Sequence, residues 1–325
     1  MIERFAYTRV GSVAEAAAAL SEDGARLHAG GTDLLGCLRD QVFTVGRVVS
    51  LSGVAELQGL HRLVDGGLRL GALTSLAELA ASELVREHYP VLAQAAAAVG
   101  SPQLRAQGTV GGNLCQQPRC WYFRGGFDCL RRGGGSCLAV LGDSRYHAVF
   151  GGGPCRIVHP SDVAPALIAL GAQARVEGPD GARLVAVGEL FAPPSERLDR
   201  CVRLADAEVL TEVFLPPPVD GQRSAYRKVR VRRAWDFALA SMAVALSLDG
   251  GRVAAIRVVF GGVAPIPWRS EPTEQAALGR QLDQETARAS VAAATQGATP
   301  LDDNAYKLDI LGGLVEEQLL ALGAS

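Results

Sequence analysis

The chain has 325 residues with 32 basic and 34 acidic side chains and no block of like charge, so its length suits two domains and its charge offers no nucleic-acid or anionic-membrane surface. The start, MIERFAYTRV, holds Glu3 and Arg4 and no apolar stretch of signal-peptide length, and no uncharged apolar run anywhere is long enough for a bilayer. The chain reads as cytoplasmic by default, without membrane insertion, the alternative being periplasmic through co-export in folded form with a signal-bearing partner.

From the N-terminus, Arg4 to Val10 alternates like a strand, and Ser12 with Glu15 forms a capping-box pattern that opens an Ala-rich helix to about Leu20. Ala25 to Ala29 reads as a strand entering Gly30-Gly31-Thr32, followed by a short helical stretch and a strand from Arg47 to Leu51. These make a β-α-β-α-β lobe over residues 1–55. Asp65-Gly66-Gly67 between two apolar runs signals a hairpin, because glycine supplies the positive φ its turn demands. Helical patterns follow at 76–84 and 90–99, and a glycine-rich region from 100 to 155 then breaks the periodicity. An apolar helix at 163–170, a hairpin around Gly178 to Gly181 and a strand from Glu208 to Leu215 complete a second lobe over 56–218. Pro216, Pro217 and Pro218 cannot donate ladder hydrogen bonds and mark a linker. Over 219–325, strands at 225–231, 237–248 and 252–260 form a three-stranded antiparallel sheet, with helices at 273–295 and 307–322. The expected fold class is α+β.

Two stretches carry chemistry. In Leu27-His28-Ala29-Gly30-Gly31-Thr32-Asp33-Leu34, a strand runs into two glycines whose backbone could approach a phosphate and point successive N–H groups at it. The spacing is not that of a dinucleotide fingerprint, and a tight strand-to-helix turn is the plain alternative. A second glycine pair, Gly111-Gly112, is flanked by Thr109 and Asn113, and two such nests suit a long diphosphate ligand.

The AGGTDLL and RAQGTVGGNL segments, with the later LPPP linker and YRKVR strand, resemble the FAD subunits of the xanthine dehydrogenase, aldehyde oxidase and carbon monoxide dehydrogenase family of molybdenum hydroxylases. The resemblance spans nearly the whole chain. It implies a two-lobed FAD-binding domain of the vanillyl-alcohol-oxidase/PCMH type and a C-terminal domain of the CO-dehydrogenase flavoprotein type. It further implies FAD held between the lobes, its diphosphate on the amides of Ala29 to Leu34, with Leu27 and Val99 as neighbours and Thr109, Gly112 and Asn113 as a second wall. Asp162 matches an acidic position near the ribityl or flavin portion, Lys228 a basic residue close to the ring, and Leu215 an apolar ring contact. Asp162 as the cap of the next helix, and Lys228 as a solvated strand lysine, are the structural alternatives.

Five of the seven cysteines fall between 115 and 155, while Cys37 and Cys201 stand alone and read as buried thiols. From Cys120 the spacings are C-x8-C, C-x7-C and C-x17-C, to Cys129, Cys137 and Cys155, in a segment of about 115–156 that is rich in Gly and Arg and poor in aliphatic residues. Such a loop has little core of its own, and a metal centre would supply what packing does not. Four thiolates satisfy a 4Fe-4S cluster or zinc, and the missing C-x2-C pair tilts the choice toward iron-sulfur. The RCWYF, SCLAVLGDSRYHAV and CRIVHPSD segments are similar to the 4Fe-4S-carrying flavin subunits of bacterial aldehyde oxidoreductases, including periplasmic ones. That resemblance implies Cys120, Cys129, Cys137 and Cys155 as ligands; Cys115 as a replacement ligand and a disulfide are the alternatives. Arg119, Arg124, Arg131 and Arg132 read first as solvated loop arginines.

The five histidines are scattered, and no nucleophile, histidine and acid arrangement appears, so no catalytic residue is assigned. The resemblance implies substrate oxidation on a large molybdopterin-binding subunit and electron delivery through a small 2Fe-2S subunit to FAD, then to an external acceptor. A 4-hydroxybenzoyl-CoA reductase-like flavin subunit, another hydroxylase of the family, and a binding module that has lost its flavin are the competing readings.

Overall fold

The computed structural model describes residues 2–324. The first lobe contains β1 (Ala6–Arg9), α1 (Val13–Leu20), β2 (Ala25–His28), α2 (Leu34–Arg39) and β3 (Arg47–Ser50), with β3 paired in parallel between β1 and β2. Helix α1 begins as the sequence implies: the Ser12 side chain accepts from Glu15 N, and the Glu15 carboxylate accepts the Gly11 amide at 2.8 Å. The apolar face around Val13, Ala16 and Val49 packs on through Leu51 and Val54 to Val209 of the second lobe.

The second lobe contains β4 (Leu60–Arg62), β5 (Leu68–Gly71), α3 (Leu76–Ala81), α4 (Glu83–His88), α5 (Pro90–Ala98), α6 (Pro102–Gln107), α7 (Val110–Leu114), α8 (Trp121–Arg124), α9 (Val163–Ala169), β6 (Gln173–Gly178), β7 (Gly181–Ala186) and β8 (Val209–Leu215). Its sheet runs β4-β5-β8-β6-β7, antiparallel throughout. Gly66 turns the β4–β5 hairpin at φ +90°. The helix expected at 76–84 is interrupted at Ser82, which ends α3 and caps α4. Two short helices, α6 and α7, occupy the start of the segment read as irregular.

The C-terminal domain contains β9 (Arg223–Val229), β10 (Ala240–Asp249), β11 (Arg252–Gly261), β12 (Trp268–Arg269), α10 (Glu271–Ala277), α11 (Gln284–Ala294) and α12 (Tyr306–Ala324). Its sheet has four antiparallel strands, β12-β11-β10-β9, and not the three expected. The extra strand is a two-residue edge, too short to show a period. The helix expected over 273–295 is two, separated by Gly279 at φ +75° and by Asp283, whose carboxylate caps Thr286 N at 2.9 Å.

Strand β10 explains how the domains join. Ala243 and Ala245 face the core of the second lobe, with Tyr226 and Val259, while Met242, Val244 and Leu246 face Leu311, Leu314 and Val315 of α12. The strand's period of two thus buries both faces, one against each domain. No helix among the described residues is long and apolar enough to cross a membrane.

Helix α12 also buries Lys307 completely, its ammonium donating to the Gly262 carbonyl at 2.8 Å. Burial lowers this lysine from 10.5 to about 7, since a charge removed from water disfavours itself. The unfolded chain then holds the extra proton between those two pH values, so stability rises with pH across that window. We expect Lys307→Met to be more stable than the parent near neutral pH, with the advantage shrinking as pH rises toward 10.5. Thermal unfolding of both proteins across the window checks this, and parallel Tm curves would refute it.

Candidate functional site

Strand β2 delivers the chain into a glycine loop between the lobes. Gly31 has φ +72°, and a Cβ there would meet His28 Nε2 at 2.7 Å. At Gly30 a Cβ would fall 1.6 Å from the Gln107 carbonyl oxygen. Gly30 is therefore where the lobes touch, a packing reason that differs from the ligand approach expected of it. Among the described residues, no backbone or side-chain acceptor takes the N–H groups of Gly30, Gly31, Thr32 or Asp33. Thr32 is exposed and the other three residues are half-buried, so these donors are open to a ligand or to water.

The opposite wall is α7. Thr109 caps it, accepting from Gly112 N at 3.1 Å, and Asn113 Oδ1 accepts from Ser161 Oγ at 2.5 Å. Gly111 donates its amide to the Ala72 carbonyl at 2.8 Å, and a Cβ on it would strike the Ala72 side chain at 2.9 Å. The second glycine pair is thus a helical turn and not an open nest: Gly111 packs on the sheet, and Gly112 faces the space between the lobes.

That space is a cleft of about 620 Å³, lined by Gly31, Thr32, Asp33, Val99, Thr109, Gly112, Asn113 and Asp162 among others. A smaller cavity of about 180 Å³ adjoins it, shares Gly31, Thr32, Asp33, Thr109 and Gly112, and adds Leu27, Ala29, Gly30 and Leu34. Sequence reasoning missed the apolar wall of Leu76, Leu104, Trp235 and Phe237. These lie far apart in sequence, and only their shared surface marks them.

Lys228 stands behind Asp162, and the pair is almost fully buried at 2.6 Å. The Tyr226 hydroxyl donates to the other Asp162 oxygen at 2.7 Å, and burial with that carboxylate pushes the phenol well above its usual 10. Lys228 also reaches the Ala98 carbonyl at 3.3 Å, beside Val99. Asp162 sits at the α9 N-cap position without capping it, and Lys228 is not solvated, so neither structural alternative describes the site. Leu215 lies apart from the cleft. It pairs with Leu68 in the middle of the second-lobe sheet and is 2% exposed, and it lines a separate hollow with Leu63, Gln173 and Pro216 instead of the cleft.

The cysteine segment lies against the first lobe. Asp33 ties it down: its carboxylate accepts the Gln117 amide at 2.8 Å, Arg124 at 2.7 Å and Arg119 at 2.8 Å. Arg132 donates to the carbonyls of Gln41, Val42 and Phe123, and Arg131 lies over the Phe123 ring and reaches Cys201 Sγ at 3.8 Å. All four arginines are structural, which corrects the solvated reading.

All seven cysteines are free thiols. Cys137 Sγ accepts the Arg156 amide at 3.4 Å, and interaction with the neighbouring Cys155 side chain together with that amide lowers the Cys137 thiol, while the same interaction and burial raise Cys155. Cys120 packs against both the apolar group holding Cys129 and that holding Cys155. Cys37 and Cys201 are not isolated: Cys37 is in the first group and Cys201 in the second. Cys115 lines the small cavity instead, and burial raises it to about 12. His147 Nε2 lies 3.2 Å from Cys120 Sγ, and burial lowers this histidine to about 4. Among the described residues, no group of three or more His, Cys, Asp or Glu is placed to hold a single metal ion.

Residues 3–218 match the family of the FAD binding domain in molybdopterin dehydrogenase, and residues 224–322 the CO dehydrogenase flavoprotein C-terminal domain. The chain is 39% identical over 316 residues to the aldehyde oxidoreductase FAD-binding subunit PaoB of Escherichia coli, covering 94% of both chains. It is 29% identical to the carbon monoxide dehydrogenase medium chain of Hydrogenophaga pseudoflava, covering 99% of this chain and 98% of the other. A solved carbon monoxide dehydrogenase from that organism, lacking the Mo-pyranopterin moiety of its cofactor, superposes with a TM-score of 0.79 at 27% identity, over 100% of this chain and 99% of the other. The chain belongs to the FAD-binding medium subunits of the molybdenum hydroxylases.

The geometry separates ligand effects from packing effects. Gly112→Ala adds a Cβ that meets only Thr109 Oγ1, at 3.0 Å within its own helical turn, so stability should change by about 1 kcal/mol or less while flavin per chain falls. Flavin content equal to the parent's would remove Gly112 from the site. Lys228→Met leaves Asp162 buried without its cation and should cost ~3–5 kcal/mol together with flavin, read by denaturant titration and absorbance.

Proposed function

We propose that this chain holds FAD in the interlobe cleft and serves as the electron-transferring subunit of a molybdenum-dependent aldehyde oxidoreductase. Partners would be a large molybdopterin-binding subunit and a small 2Fe-2S subunit. The observation that carries the reading is the run of unpaired amides from Gly30 to Asp33, facing a continuous cleft and cavity whose far wall is Asp162. The amides suit a diphosphate, and the apolar Leu27, Leu34 and Leu73 of the small cavity suit a planar base. When bound, FAD would take electrons singly and release them in pairs. The residues of this chain orient it: Lys228 and Tyr226 hold the Asp162 carboxylate still, and Val99, Trp235 and Phe237 line the cleft. The aldehyde substrate is supported by the likeness to PaoB, which exceeds that to the carbon monoxide dehydrogenase medium chain.

The same reading includes a 4Fe-4S cluster on Cys120, Cys129, Cys137 and Cys155. Its support is the spacing of four cysteines in one segment and the packing of Cys120 against the separate apolar groups that hold Cys129 and Cys155. The cluster would add a redox centre beside the flavin subunit's own cofactor.

Co-expression with both partners should give a heterotrimer or a multiple of it, and a monodisperse monomer that refuses both would sink the complex. Anaerobically purified chain should hold about four irons with acid-labile sulfide. Serine at any of the four assigned cysteines should lower iron, while Cys37→Ala and Cys201→Ala leave it unchanged. Zinc, a disulfide or no metal in the parent protein would reject the cluster while leaving the flavin assignment intact.

A further inference from the structure

We propose that Trp235 is the stacking platform of the flavin ring, its indole lying against the isoalloxazine system and favouring the oxidised form. This rests on the reading of the interlobe cleft as the FAD site.

A diphosphate at Gly31, Thr32 and Asp33 stands where the cleft and the small cavity meet, so the two ends of the ligand run into different spaces. The three-ring end requires the larger, of about 620 Å³, and Trp235 lines it together with Val99 and Phe237. Trp235 is held there at a cost. Its φ is +53°, a left-handed conformation that a bulky side chain rarely adopts. Its amide donates to the Gly100 carbonyl at 2.9 Å, and its carbonyl accepts from Arg232 at 2.6 Å. The Asp236 carboxylate accepts the amides of Arg232 and Phe237 at 2.9 and 3.0 Å. These bonds fix the turn, yet the side chain it delivers is 67% exposed. The other two tryptophans are engaged within the protein, Trp121 edge-on with Tyr122 and Tyr146, and Trp268 stacked on Phe150. Arg119 already lies over Phe237, which leaves Trp235 as the unengaged aromatic ring of the cleft. Strain at an open aromatic side chain beside a ligand space points to a ligand contact and not to packing. The indole is electron-rich and an oxidised flavin electron-poor, so an offset stack favours the oxidised ring over the reduced one.

The test is titration of the deflavinated full-length chain with FAD, followed by the absorption spectrum and the two-electron flavin midpoint of the loaded protein. Trp235→Gly removes the ring and suits the positive φ, so the turn and the fold should survive. It should bind FAD roughly threefold to tenfold more weakly and lose the long-wavelength shoulder of a stacked flavin in the difference spectrum against the parent. Its midpoint should move positive, by about 30 mV for each tenfold loss of preference for the oxidised ring. Trp235→Phe should recover part of each change. Parent affinity and midpoint in Trp235→Gly overturn the proposal and leave the FAD site standing. Weaker binding at an unshifted midpoint assigns Trp235 to the shape of the turn, which also overturns it. A parent chain that takes up no FAD overturns the cleft reading, and this inference with it.

Discussion

The Asp33 carboxylate is the constraint on which the site depends. It stands at the end of the glycine loop and accepts the Gln117 amide, Arg119 and Arg124 together. Lobe and inserted segment therefore cannot move independently near the cleft. Two guanidinium groups on one carboxylate leave a positive charge uncompensated beside the unpaired amides of Gly30 to Asp33, which favours an anionic ligand. Arg119 also lies over the Phe237 ring at 4.9 Å, so the same network reaches the cleft's aromatic wall and the C-terminal domain.

The buried Lys228–Asp162 pair does the equivalent on the other side. Taking both charges out of water is costly, and the pair is tolerable because its hydrogen bonds are satisfied by Tyr226 and the Ala98 carbonyl. Lys228 and Tyr226 come from β9, a strand of the C-terminal domain, whereas Asp162 lies in the second lobe. Arg230 adds a second donor to the Ala98 carbonyl at 3.0 Å. The wall of the cleft is thus assembled across the domain boundary, and the proline linker joins two units that share one site.

What was legible in the sequence is what short-range physics dictates. Ser12, the Gly66 hairpin and the strand entering Gly30-Gly31 follow from caps, positive φ and alternation, and the structure has them where those rules put them. The features that were not legible depend on distant partners. Gly30 and Gly111 look like phosphate contacts in sequence, yet their missing Cβ atoms are needed by Gln107 and Ala72. Leu215 matched a flavin neighbour by position but belongs to a central strand, where its side chain serves the sheet. Arginines in an irregular segment carry no periodicity, so nothing local announced that Arg131 and Arg132 would be consumed by Cys201 and by main-chain carbonyls.

Those arginines change the argument about the cysteine segment. A loop poor in aliphatic residues invites a metal staple as its source of order, but here order has other sources. Guanidinium groups bind carbonyls on the first lobe, Trp121, Tyr122 and Phe127 meet edge to face, and the Ser144 to Ala148 stretch is fastened to Asp303, Asn304 and Tyr306. Trp268 of the short edge strand stacks on Phe150 at 5.1 Å and secures the far end. The segment is therefore held by three parts of the molecule without any cluster, and the need for a staple is no argument for iron. What remains is the packing of Cys120 between the apolar group that holds Cys129 and the one that holds Cys155.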